Sequence, residues 1–145
     1  MRVVIQRVLS SSIVVDGDTI ADIGQGLLLL LGISGKDTEE QAQKLVDKIA
    51  KLRIFADTEG KTNLSIQDIS GQLLVVSQFT LYADTKKGNR PGFAEAAEPQ
   101  KAKELYQYFV DYCEGKFSKV ECGIFGADMK ITLVNDGPFT IVMEA

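Results

Sequence analysis

Apolar and polar residues alternate through "MRVVIQRVLSSSIVVDGDTIADIG", a period of two that predicts two antiparallel strands joined by a tight turn at "DGD", residues 16 to 18. The next run, "GLLLLLGIS", is apolar without interruption and of strand length, the pattern of a strand covered on both faces. The period then changes. In "DTEEQAQKLVDKIAKLRIF", Ala42, Leu45, Val46, Ile49 and Leu52 fall on one helical face, and Thr38 with Gln41 has the spacing of a capping box.

A turn at "DTEGK" and a short segment at "NLSIQDISG" lead into "QLLVVSQFTLY", which reads as a central strand ending in a polar loop, "ADTKKGNRPGF". A second helix opens at Pro99, a favoured first-turn position, buries Leu105, Tyr108, Phe109 and Tyr112, and stops near Gly115. Three strand-like segments follow: "FSKVECGIF", "MKITLV" and "FTIVM". Hairpins mixed with helical crossovers predict an α/β fold, with mixed β-sheets forming a partly closed barrel around two main helices, in a single domain covering residues 1–145.

Composition narrows the function. A chain of 145 residues is long enough to bury a sizeable core without staples, so Cys113 and Cys122, which match no metal-ligand spacing, read as buried thiols in a reducing cytoplasm. No apolar run is long enough for a membrane helix. The net charge of −4 argues against coating long stretches of nucleic acid, but leaves room for contact with an RNA end. Histidine is absent altogether. That removes Ser-His and Cys-His nucleophile pairs, His-metal sites and the commonest general base together.

Two stretches carry candidate chemistry. Ser77, Gln78, Phe79 and Thr80 end an apolar run ahead of a glycine-containing loop, the kind of strand end where α/β folds place ligands. The same residues also read as a buried strand whose hydroxyls satisfy nearby backbone. A Thr80 nucleophile would lack a base. The second stretch is "NDGPFT": Pro138 has no N–H for a ladder and Gly137 weakens a strand, so the segment is either an ordinary turn or backbone shaped to meet a ligand. Lys86, Lys87 and Arg90 read as a solvated loop or as phosphate contacts.

"SQFTLYAD", "KKGNRPGF", "GIFGADMKITLVNDGPFT" and "IGQGLLLLLGI" together closely resemble the D-aminoacyl-tRNA deacylase family of the bacterial and eukaryotic type, over essentially the whole chain. The resemblance implies a homodimer that hydrolyses the ester between a D-amino acid and the 3′-terminal adenosine of tRNA, with glycyl-tRNA as a further substrate and no metal or organic cofactor. It implies that Ser77 to Thr80 lie beside the scissile ester, and that a cis Gly137-Pro138 peptide reaches into the partner's active site. It further implies that Phe125 and Met129 line the adenosine pocket and Arg7 supports the Gly-Pro loop. Gly92 and Phe139 depart from the commoner family pattern, which has Ser and Val there. A related editing hydrolase acting on L-aminoacyl-tRNA and a non-catalytic tRNA-end binder remain alternatives.

Overall fold

The computed structural model describes all of residues 1–145. Strand β1 (Arg2–Val15) turns at Asp16 and Gly17, both at positive φ, into β2 (Asp18–Ile23), as "DGD" predicts. Strand β3 (Gly26–Gly32) continues β2 along the same edge of β1, since Ser11 faces Ile23 and Val8 faces Gly26. Its other edge carries β8 (Lys130–Glu144).

Two parallel pairings extend the sheet, β3 with β6 (Gln72–Ser77) and β6 with β7 (Val120–Cys122). Parallel neighbours need crossovers, supplied here by α1 (Glu39–Lys51) and α2 (Pro99–Glu114). A small hairpin of β4 (Phe55–Ala56) and β5 (Thr62–Leu64) follows α1. The result is a mixed α/β fold with two helices and a nearly closed barrel-shaped sheet that has one unsealed seam.

The uninterrupted apolar run of β3 is explained by its two covered faces. Leu27, Leu29 and Leu31 face the helices together with Leu73 and Val75, within a buried cluster of 23 residues. Leu28 joins Leu74 and Val76 on the other face, against Val8, Ile13 and Ile23. Helix α1 buries Ala42, Leu45, Val46 and Ile49 as its spacing predicts, and Gln41 accepts the N–H of Thr38 at 2.8 Å.

The expectations need correcting in five places. The strand predicted through Tyr82 ends at Ser77, because its partner β3 ends too: Leu31 faces Ser77 and nothing remains for residues 79–82 to pair with. They form a 3₁₀ turn, Phe79–Tyr82. "FSKVECGIF" is a strand only over Val120–Cys122, and "MKITLV" and "FTIVM" are one strand, β8, interrupted by a bulge. Helix α2 buries Leu105, Tyr106, Phe109, Val110 and Cys113, whereas Tyr108 and Tyr112 stack on each other at its margin and reach α1. Cys113 is buried but Cys122 is exposed, as it sits on the short edge strand β7.

One buried ion pair fastens the sheet to the turn that follows β3. The ammonium group of Met1 donates to Asp37, with both groups almost inaccessible, and Asp37 also accepts the N–H of Ser34 at 2.7 Å. Removing one partner of such a pair strands the other charge, so Asp37→Ala should cost about 3–5 kcal/mol. The check is urea denaturation, with a lower midpoint and an unchanged slope as the expected outcome.

Candidate active site

At the C-terminal end of β6 the sheet, the 3₁₀ turn and the start of α2 enclose a cavity of about 540 Å³. Parallel strand ends are where α/β folds leave such space. Ser77, Gln78 and Phe79 form one wall; Phe125 to Met129 form the opposite one; Ile33, Ala97 and Ala102 lie between them. The lining is largely apolar, ten of its 15 residues being hydrophobic.

The 3₁₀ turn supplies the polar groups. Gln78 N–H completes the ladder by donating to Leu31 O at 2.7 Å, and Leu81 N–H closes the turn on Gln78 O at 3.2 Å. Between them, no main-chain carbonyl accepts from the N–H of Phe79 or Thr80. A helical turn always leaves its first donors without intrahelical partners, and the first residue of this turn, Phe79, lines the cavity. Thr80 itself does not line the cavity. Its Oγ1 accepts from Gln78 Nε2 at 2.5 Å, and a donating amide cannot take a proton from a hydroxyl.

The opposite wall is held from below by Tyr106. Its hydroxyl, buried in α2, lies 2.9 Å from Val75 O and 3.3 Å from Gly123 O, and so ties β6 to the segment leading to Phe125. The Tyr106 and Phe125 rings lie 5.9 Å apart. Gly123 lies close under Met129: a Cβ there would stand 2.6 Å from Met129 Sδ and the thioether would have to shift. Asp128 is the one carboxylate among the lining residues, and Lys130 holds both of its oxygens at 2.9 Å.

Arg7, Gly137 and Pro138 meet one another, but not this cavity. Gln6 faces Thr140 and Val8 faces Asn135, so residues 136–139 bulge opposite Arg7. The Gly137-Pro138 peptide is cis, as the sequence predicts, with Gly137 at φ 143°. Arg7 donates to Asp136 O at 2.9 Å and to Ile54 O at 2.6 Å, and its guanidinium lies 4.6 Å over the Phe139 ring. Asn135 Oδ1 accepts the N–H of Phe139 at 2.6 Å, closing the bulge. The departure to Phe at position 139 thus gives Arg7 a ring to stack on. From Ile131 in the cavity wall to Gly137, β8 runs about 20 Å at the usual strand rise.

Lys86, Lys87 and Arg90 occupy an exposed loop pinned at its neck by paired hydrogen bonds between Asp84 and Gly92. The Phe93 ring just beyond packs edge-on against Phe79 at 4.9 Å, which keeps the basic loop near the cavity mouth. Sequence reasoning missed Ile33, Ala96, Ala97 and Ala102 as lining residues. Apolar residues carry no chemical signal, and only Ala96 and Ala97, which follow the basic loop and precede Pro99, had a place that could have suggested them.

The model of the D-Tyr-tRNA(Tyr) deacylase family matches residues 4–144. A D-aminoacyl-tRNA deacylase of Lactobacillus acidophilus is 56% identical over 144 residues, 99% of either chain. One from Dictyoglomus turgidum is 55% identical over 144 residues, 99% of this chain and 92% of that one. Among solved structures, the c-Myc DNA unwinding element binding protein superposes with a TM-score of 0.95 at 39% identity, covering 100% of this chain and 99% of the other.

The buried groups beneath the site give it an alkaline limit. Burial, then the nearby Cys122, raises the Tyr106 phenol, and burial, then Glu114, raises the Cys113 thiol. Both are neutral when protonated and the fold holds them so. Their contribution is therefore complete below the unfolded values, about 10 for Tyr and 8.5 for Cys, and is lost as pH rises through and beyond them. Tyr106→Phe should cost about 1–2 kcal/mol at pH 7 and lessen the further loss above pH 10. Urea midpoints at the two pH values measure both effects.

Proposed function

Because the chain belongs to the D-Tyr-tRNA(Tyr) deacylase family, we propose that it hydrolyses the ester joining a D-amino acid to the 3′ end of tRNA. The observation that carries this reading is a turn whose first two N–H groups, at Phe79 and Thr80, have no main-chain acceptor and which begins in the wall of an apolar cavity. An aminoacyl ester is already activated, so orientation and an oxyanion site supply most of what its hydrolysis needs.

In this reading the terminal adenosine lies between the walls, against Phe125 and Met129, and the ester carbonyl oxygen points at the two N–H groups. Water adds to the carbonyl carbon, the developing oxyanion accepts both hydrogen bonds, and the bond to the ribose O3′ breaks. The proton released by the water ends on O3′, with the neighbouring 2′-hydroxyl available to relay it. Free D-amino acid and tRNA are the products. Thr80 Oγ1 positions the turn through Gln78 and does not attack. Lys86, Lys87 and Arg90 meet the phosphates just behind the terminal nucleotide, a contact small enough for a protein of net charge −4.

Selection between the hands of the amino acid is assigned to the Gly137-Pro138 bulge. It lies too far along β8 to serve its own cavity, and the outer edge of β8 has no ladder partner within the chain. A second copy docked there would bring its bulge to this cavity, making the functional unit a homodimer. Main-chain atoms at the substrate α-carbon then leave no room for an L side chain, while a D side chain points outward. Glycine has none to exclude, and is therefore cleaved as well. The site of action is the cytoplasm, where charged tRNA is used.

The deciding experiment is hydrolysis of D-, L- and glycyl-tRNA in parallel. D-aminoacyl and glycyl esters should be cleaved and L esters spared; equal rates on D and L would overturn the assignment. Thr80→Ala should retain activity within about 10-fold of wild type, and an acyl-Thr80 adduct in a mass spectrum would contradict the backbone mechanism. Arg7→Ala frees the bulge and should raise the L rate relative to the D rate. Sedimentation should find a dimer at assay concentrations, and full activity from a monomer would remove the bulge from the mechanism.

A further inference from the structure

We propose that Arg2 is a positioning residue for the oxyanion turn, holding Phe79–Tyr82 in place from the neighbouring strand. The need for such a device is visible in the turn itself. None of its four residues is buried, its ladder support ends with Gln78, and its closing hydrogen bonds, Leu81 N–H to Gln78 O and Ala83 N–H to Thr80 O, are local. Nothing in that set fixes the turn to the rest of the molecule at its C-terminal end.

Arg2 does. Its Nη1 donates to Leu81 O at 2.5 Å, its guanidinium lies 5.0 Å from the centre of the Tyr82 ring, and its Nε is engaged by Glu144. The three partners come from the turn and from β8, and a planar fork can satisfy them together where a point charge cannot. The residue between makes the reach geometrically available. Arg2 faces Gly32 in the β1–β3 ladder, and a Cβ at Gly32 would stand 3.0 Å from Leu81 Cβ and 3.2 Å from both Gln78 O and Tyr82 Cε2. The turn therefore sits directly on the Gly32 backbone, with the Arg2 side chain folded across it. Tyr82 stays neutral at physiological pH, its phenol raised by burial and then by Asp37, so Arg2 stacks on a ring and does not compete with a phenolate.

Displacing the turn by a fraction of an ångström would misdirect the N–H groups of Phe79 and Thr80 while leaving the opposite wall, Phe125 to Met129, in place for the nucleoside. The signature is a loss in kcat at nearly constant KM. This rests on the deacylase reading, and the test separates the two. Arg2→Ala should lower kcat about 10- to 100-fold, the range expected when catalytic donors are misplaced. Its KM should stay within about twofold, as expected when the lost interaction serves the transition state. Arg2→Lys, which can reach Leu81 O but not all three partners, should recover part of the loss. Gly32→Ala, with Arg2 intact, should reproduce the kcat defect by lifting the turn from beneath.

Hydrogen exchange supplies an arm independent of substrate: the Leu81 and Ala83 amides should exchange faster in Arg2→Ala, with protection in β3 and β6 unchanged. Wild-type kcat in Arg2→Ala, a loss confined to KM, or a uniform loss of protection throughout the molecule would each overturn the proposal. If the wild-type protein cleaves no aminoacyl-tRNA, the deacylase reading fails, while the exchange measurement still decides whether Arg2 holds the turn.

Discussion

Parallel pairing of β3 with β6, both covered on two faces, is the constraint on which the site depends. A strand buried on both sides can carry only apolar side chains without a large desolvation cost. The polar groups at its end must then come from main chain released where pairing stops. In this molecule that place is fixed by the length of β3: the ladder ends at Leu31 and Ser77, and the chain turns at once into a 3₁₀ turn with unpartnered donors. The same stacking that makes the strand interior inaccessible makes its last residues rigid, which an oxyanion site needs more than it needs a titratable group.

That constraint also explains how a chain without histidine can be read as a hydrolase. The ester of an aminoacyl-tRNA is reactive by its own chemistry, so the catalyst must aim and stabilise and has little need to abstract a proton early. A substrate seated in a mostly apolar cavity would exclude water and so strengthen each main-chain dipole. Asp128, the one carboxylate in the wall, is exposed and paired with Lys130 through both oxygens. The proposed selectivity, drawn from main-chain bulk and not from a side-chain pocket, fits the same chemistry, because it is indifferent to which side chain the substrate carries.

How much of this was legible in the sequence depended on whether the signal was local. The period of two through β1 and β2, the turn at residues 16 to 18 and the apolar face of α1 all stand where the pattern put them, because each follows from neighbours in sequence. Residues 79–82 were misread as strand since Phe, Thr, Leu and Tyr suit a sheet, and only the distant end of β3 denies them a partner. The single strand β8 was misread as two for a related reason: Gly137-Pro138 looks like a stop, yet Asn135 and Arg7, the latter far away in sequence, bind the bulge so that pairing resumes beyond it. Ser77, Gln78 and Phe79 stand out as the end of an apolar strand, Phe125 and Met129 only through the family resemblance, and the five surround one cavity, whereas the alanines between them carry no legible chemistry.

β1 ties the two halves of the proposed mechanism together. Arg2 near its start reaches the turn bearing the oxyanion donors, and Arg7 within it reaches the Gly-Pro bulge, so one strand anchors both pieces of irregular backbone. The two arginines are about 17 Å apart at the usual strand rise, a separation that no rotamer change can alter. In a homodimer the turn of one protomer must meet the bulge of the other, and the gap between them is set by two copies of this strand and the docking of their β8 edges. A site divided between subunits ordinarily loses precision at the interface. Here the precision would be held in β1, a strand paired along both edges, and the interface would only have to be formed in one register.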